Sequence, residues 1–229
     1  MIDFHSHILP QVDDGSQSPE ETLAMLQAAY AQGVRTLVAT PHFYADTMVP
    51  EAFLEDRAKA AKQLPLGEEL PRVILGAEVA YFDNMSRSDA LQRLRIGDTE
   101  LLLVEMPFGT WTDRIVEDVC MLTDRQGLVP VLAHVERYRQ RDQFPKYWQE
   151  LLASGVLFQY NAGSFLRGSQ RGWMFRQLKK GLVHFLGSDC HNMTTRPPNM
   201  GLAAQVIQKK KLAVALEEIG AFSAEILHV

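Results

Sequence analysis

Seven short runs of apolar, largely β-branched residues punctuate the chain, at residues 2–7, 35–40, 72–79, 100–106, 129–134, 156–161 and 183–188. Between them the apolar positions recur at helical spacing instead of alternating. Strands separated by helices predict a parallel sheet, because a parallel pair needs a long crossover. Ser18-Pro19-Glu20-Glu21 reads as a capping box that opens a helix carrying Leu23, Leu26 and Tyr30, with Gly33 as its stop. Asp113 is expected to cap a second helix, with Ile115, Val119 and Leu122 on its apolar face and Gly127 at its end. A third is expected from about Met200 to Glu218, with Leu202, Val206 and the 212–216 segment facing the core.

The polar exceptions fall at the ends of these runs. His5 and His7 close the first, His42 follows the second, Glu78 ends the third, Glu105 the fourth and His134 the fifth, and Asp189 and His191 follow the seventh. Barrel enzymes gather their chemistry at the C-terminal ends of the strands, whereas an open doubly wound sheet brings only one or two strand ends to a crevice. Candidate ligands on six of seven runs therefore predict a closed or nearly closed barrel.

Each group has an ordinary reading as well. Residues i and i+2 of a strand share a face, roughly 6.5–7 Å apart, so His5 and His7 can meet one ion or can be two structural histidines. Asp3, on that face, is a candidate orienter of a histidine ring. Asp13-Asp14-Gly15 reads as a plain acidic turn or as a ligand source. Glu78 and Glu105 sit in apolar strands, where a buried carboxylate needs a cation or a proton. Taken together, five of the seven histidines lie at strand ends, and His184 and His228 read as structural or exposed.

At 229 residues and 46% apolar, the chain can bury one α/β barrel. No apolar run approaches the ~18 residues that span a bilayer, so membrane insertion is not expected. The start is expected to hold no cleavable signal, and two cysteines, Cys120 and Cys190, suit a reducing cytoplasm. A net charge of -5 argues against nucleic acid as a partner.

The segments MIDFHSHILPQVDDG, VATPHF, GAEV, AHVERY and SDCHNMTTRPPNM resemble the polymerase and histidinol phosphatase (PHP) superfamily. Within it they resemble the manganese-dependent protein-tyrosine phosphatases of bacterial capsule and exopolysaccharide synthesis, with order and spacing kept over nearly the whole chain. The resemblance implies a single PHP metallophosphoesterase domain over residues 1–229, with a distorted seven-stranded (β/α)7 TIM-like barrel. It implies three divalent ions, manganese foremost with iron or zinc as alternatives. His5, His7, Glu78 and Asp189 would hold one, Asp14, His42 and His191 a second, and Glu105 and His134 a third, bridged by Glu78. Arg137 and Arg196 match the family's phosphate-contacting arginines. Four carboxylates set against three divalent ions and two arginines leave such a pocket at about +4, attractive to a phosphate dianion in an acidic protein. The expected chemistry is attack on phosphorus by a hydroxide bridging the ions. The expected partner is a phosphotyrosine protein, the tyrosine autokinase of a polysaccharide export system.

Other readings stand beside this one. Cys190 and Arg196 match the C-x5-R spacing of thiolate phosphatases, although the intervening residues lack glycine. Histidinol phosphate or nucleic-acid ends are alternative substrates, and a non-enzymatic metal-binding protein is a third possibility. Phe43, Tyr44, Phe108 and Trp111, in the loops at 43–50 and 107–112, could wall the site for an aryl ester or could simply anchor those loops.

Overall fold

A computed structural model describes residues 1–139 and 144–229. Among the described residues nine parallel strands form in chain order: β1 (Ile2–Ser6), β2 (Thr36–Ala39), β3 (His42–Phe43), β4 (Arg72–Leu75), β5 (Glu78–Ala80), β6 (Leu101–Glu105), β7 (Val129–Leu132), β8 (Leu157–Asn161) and β9 (Phe185–Gly187). They register as two sheets, β1-β2-β4 and β3-β5-β6-β7-β8-β9. All seven expected strands are present, with two corrections. The run at 72–79 breaks at Gly76-Ala77 into β4 and β5, and a two-residue strand, β3, forms at His42. Gly76 packs against Ile96 and Thr40, where a Cβ would come within 3.0 Å of the Ile96 side chain.

The larger sheet curls. Phe4, Val38, Leu101, Val131 and Phe185 come from β1, β2, β6, β7 and β9, yet they share one buried cluster. Phe4 and Val38 belong to the smaller sheet and the other three to the larger, so both sheets close on one core. Phe4 and Phe185 stack at 3.8 Å between ring centroids, linking the first strand to the last. Backbone bonds extend that link: Ser6 bridges in parallel to Cys190, Asp189 N donates to His5 O at 2.8 Å and His7 N donates to Cys190 O at 2.9 Å.

The helices α1 (Pro19–Ala31), α2 (Pro50–Ala61), α3 (Asp113–Gln126), α4 (Phe144–Ala153), α5 (Gly168–Lys179), α6 (Met200–Lys209) and α7 (Ala213–Leu227) fill the crossovers and the C-terminal region. Ser18 caps α1 by accepting from Glu21 N at 3.2 Å, but Glu21 reaches back to Gln17 N instead of the cap. The buried face of α1 is Thr22, Met25, Leu26 and Ala29, so Leu23 and Tyr30 lie to its side. Thr112, not Asp113, caps α3 by accepting from Ile115 N, and Gly127 ends the helix at φ +65°. The single helix expected from Met200 to Glu218 is two. The chain turns at Lys211, in a left-handed conformation, and Leu202 is exposed while Ala203, Ala204 and Ile207 are buried.

Candidate metal centre

Every strand-end residue singled out in the sequence arrives in one pocket. His5 and His7 lie on β1 and just beyond it, and the register of β1 shifts between Asp3 and Ser6, around His5. Such irregularities re-aim side chains next to active sites. Two other members, His134 at φ +34° and Asp189 at φ +53°, hold left-handed backbone. That conformation is strained for residues other than glycine and concentrates at functional sites.

His5 Nε2 and His7 Nε2 face each other at 3.1 Å. Glu78 Oε2 lies 3.3 Å from the first and 3.4 Å from the second, and Asp189 Oδ1 lies 3.8 and 3.5 Å away. His134 Nε2 sits 2.9 Å from Glu78 Oε1 and 3.2 Å from Glu105 Oε1, while His42 Nδ1 is 3.0 Å from Glu78 Oε2. Asp14 is the exposed member, with its Oδ1 3.4 Å from His191 Nε2 and 3.6 Å from His42 Nε2. Three sets therefore bring ligand atoms within 4.8 Å of one another: His7, Asp14, His42 and His191; His5, His7 and Asp189; His42, Glu78 and Glu105. His134 joins the third through both of its carboxylates.

Hydrogen bonds outside the pocket settle which ring nitrogens point in. The carboxylate Asp13 Oδ2 accepts from His7 Nδ1 at 2.6 Å, and the carbonyl of Asp189 accepts from His191 Nδ1 at 3.1 Å. Gln159 Oε1 accepts from His134 N at 2.7 Å, which fixes its amide, so His5 Nδ1 is the donor in their 3.1 Å contact. With Nδ1 so occupied, His5, His7 and His191 each turn Nε2 toward the carboxylates. A buried convergence of lone pairs and anions, each imidazole anchored through its other nitrogen, is the donor set a divalent cation requires.

Burial disfavours charge on these rings, yet His7 is held well above the ordinary histidine range by hydrogen bonds to Asp13, Asp189 and Glu78, and His134 is raised to about 9 by Glu105 and Glu78. His191 goes the other way, to about 4, through burial and the positive His7 and Arg196. Burial likewise opposes ionisation of Glu78 and Asp189, but the surrounding histidines, with Arg137 beside Asp189, hold both well below the carboxylate range. Against burial, the Asp13 carboxyl falls to about 2 because His7, His42 N and Gly15 N all donate to it. Gly15 is obligatory here: a Cβ would lie 2.1 Å from His7 O.

Both arginines reach the pocket. Arg137 Nη2 pairs with Asp189 Oδ2, and Arg196 donates from Nη2 to Asp189 Oδ1 at 2.5 Å and from Nη1 to His191 Nε2 at 2.8 Å. Of the four aromatic loop residues, Phe43 and Trp111 are buried anchors. Tyr44 and Phe108 are exposed and stack on His42 and His134, with centroids 5.3 and 6.0 Å apart. His184 accepts from Phe158 N through Nδ1 and is structural.

One expectation needs correction, and one rival reading falls. Asp3 orients backbone, not an imidazole: its Oδ1 accepts from Ser188 N at 2.7 Å and from His5 N at 3.4 Å. The orienters are Asp13 and Gln159, which were not assigned that role from sequence. Strand β8, the one run without a candidate ligand, supplies a relay: Gln159 Nε2 donates to Asn161 Oδ1, and Asn161 Nδ2 donates to Asp189 Oδ2 at 2.7 Å. The signal was present, since Gln159 and Asn161 alternate with Phe158 and Tyr160 in a buried strand. Cys190 cannot serve as a phosphatase nucleophile as it stands. Its side chain is fully buried, and burial beside Asp3 pushes its thiol far above the ordinary range.

The sequence matches the family model "Capsular polysaccharide synthesis, CpsB/CapC" over residues 1–226. It is 33% identical to the tyrosine-protein phosphatase CpsB of Streptococcus pneumoniae, covering 96% of this chain and 94% of that protein. It is 32% identical to the tyrosine-protein phosphatase YwqE of Bacillus subtilis (strain 168), covering 92% and 85%. A chain from the crystal structures of YwqE from Bacillus subtilis and CpsB from Streptococcus pneumoniae, described as metal-dependent tyrosine phosphatases, aligns at TM-score 0.86 and 28% identity over 100% of this chain and 94% of that one.

Proposed function

The chain belongs to the CpsB/CapC family of capsular polysaccharide synthesis, and on that premise we propose that it is a metal-dependent protein-tyrosine phosphatase. The observation that carries the reading is the 3.1 Å approach of His5 Nε2 to His7 Nε2 among three buried or half-buried carboxylates, with both Nδ1 atoms committed elsewhere. His5, His7, Glu78 and Asp189 form one ligand set, Asp14, His42 and His191 a second, and Glu105, His134 and a shared Glu78 a third. We read the ions as three, manganese first among them. When bound, divalent ions polarise phosphoryl oxygens and lower the pKa of water.

The chain's own residues do the rest. Arg137 and Arg196 offer planar forks to the phosphoryl oxygens as charge develops there. Gln159 and Asp13 hold the tautomers that keep His5 Nε2 and His7 Nε2 free. Tyr44 and Phe108 flank the mouth and suit an aryl ester. A phenolate leaves with a pKa near 10, so a site with no assigned general acid favours phosphotyrosine over an alkyl phosphate. The partner in this reading is the tyrosine autokinase of a polysaccharide export system. Among the described residues no helix is long and apolar enough to cross a membrane, and the two free cysteines agree with a cytoplasmic setting.

We also read residues 1–229 as a single domain and the two sheets as one distorted barrel of seven strand positions. Support comes from β3 and β5, which follow β2 and β4 in the same neighbour order, and from the Ser6–Cys190 bridge between the first and last strands.

The functional test compares a phosphotyrosine peptide, a phosphoserine peptide and histidinol phosphate under identical manganese loading. The phosphotyrosine peptide is expected to have the highest kcat/KM. A higher value for either alkyl ester would refute tyrosine specificity and leave the metallophosphoesterase intact.

A further inference from the structure

Beside the arginine pair lies a cavity of about 340 Å³, in which Asp189 is the one proposed metal ligand among the lining residues. It opens from Arg137, Asp189 and Arg196 and runs between the start of α5 and the start of α6. Its volume is at the small end for ligand sites, suited to one side chain with its peptide unit.

The polar groups on its wall are unequally satisfied. Asp189 is held by both arginines and Asn161, and Glu136 accepts from Ser164 Oγ at 3.0 Å and from Asn161 N. Arg167, at the rim, is exposed, and among the described residues none accepts from its guanidinium. Its neighbour Arg171 differs, being tied to the carbonyls of Phe165 and Leu166. Two lining residues, Gln170 and Asn199, carry buried carbonyl oxygens that find no donor among the described residues. Unmet buried acceptors are costly, and here two of them lie on residues that line the cavity beside an uncommitted cation.

We propose that this cavity is the subsite for the residue next to the phosphotyrosine, and that Arg167 selects a carboxylate there. The inference rests on the phosphatase reading above. A substrate seated with its phosphate on Arg137 and Arg196 carries its adjoining residue into the cavity. A Glu or Asp side chain there meets Arg167 at the rim.

The test uses the full chain, manganese-loaded, at about 0.15 M salt to screen long-range charge. Two peptides share a central phosphotyrosine and differ only in having Glu or Lys at both adjoining positions. Wild type is expected to favour the Glu peptide by about tenfold in kcat/KM, and Arg167→Glu to reverse the preference. Each ratio is internal to one protein, so metal content and folding cancel. Equal rates on the two peptides, or a Glu preference that survives Arg167→Glu, would overturn the subsite alone. No hydrolysis of either peptide by wild type would overturn the phosphatase reading and this inference with it.

Discussion

Replacing Gln159 by methionine keeps the length and volume of the side chain and deletes its hydrogen bonding. Three buried partners are affected: His5 Nδ1–H and His134 N–H lose their acceptor, and Asn161 Oδ1 loses its donor. Two orphaned buried donors cost about 1–3 kcal/mol each, or roughly 2–6 kcal/mol against a typical domain stability of about 5–15 kcal/mol. Even the lower figure should reduce the melting temperature of the metal-free protein by about 4–8 °C at this size. The effect on the site is more specific. With Gln159 gone, nothing requires the His5 proton to stay on Nδ1, and loss of such outer hydrogen bonds typically weakens metal affinity by about 10–100-fold. Competition against a fluorescent chelator gives the affinity, and scanning calorimetry of the stripped protein gives the stability. Gln159→Glu separates the two halves of the relay, because it keeps the acceptor for His5 and His134 but removes the donor to Asn161. It should retain metal better than Gln159→Met. A methionine variant that binds manganese within twofold of wild type would refute the claim that Gln159 sets the His5 tautomer.

Arg137→Ala and Arg196→Ala should each lower kcat by about 10²-fold, as loss of one preorganised donor does, with metal stoichiometry intact by elemental analysis. Loss of metal instead would make them structural partners of Asp189. Cys190→Ser should remain within about tenfold of wild type in kcat/KM, and a drop of several orders of magnitude at unchanged metal content would revive the thiolate route. Below about pH 9 the metal-free site carries a proton on His134, on an atom a cation must occupy, and His7 is raised in the same direction by Asp13, Asp189 and Glu78. Apparent manganese affinity should therefore fall as pH drops from about 9 toward 6, and a pH-independent affinity would contradict the assigned ligands. Chelation should abolish hydrolysis and manganese should restore it, whereas full activity in stripped protein would end the metal-dependent reading.

Much of this arrangement was legible in the sequence, because strand ends mark where a parallel sheet presents chemistry. His5, His42, Glu78, Glu105, His134 and Asp189 each follow or close an apolar run, and that placement brought them together. The missing part is what periodicity does not encode. The break between β4 and β5 depends on packing at Gly76 against Ile96, a neighbour twenty residues away in sequence. The division of α6 from α7 depends on the backbone of Lys211 within a lysine run that reads as continuous helix. Asp3 and Asp13 are both acids near His5 and His7, and only the curl of the chain after β1 decides that Asp13 meets a ring while Asp3 meets backbone amides. Gln159 is neutral and sits inside a strand, so it offered no charge to notice.

The junction of the first and last strands also has a consequence for biosynthesis. His5 and His7 leave the ribosome some 180 residues before Asp189 and before Cys190, the residue that Ser6 bridges. At about 5–20 residues per second, β9 emerges roughly ten to forty seconds after β1. Throughout that interval β1 has β2 on one side and an unpaired edge on the other, with the apolar Phe4 waiting for Phe185. An open apolar edge invites pairing with other chains. The nascent protein thus exposes this edge with His5 and His7 already made and Gln159, Asp189 and His191 not yet translated.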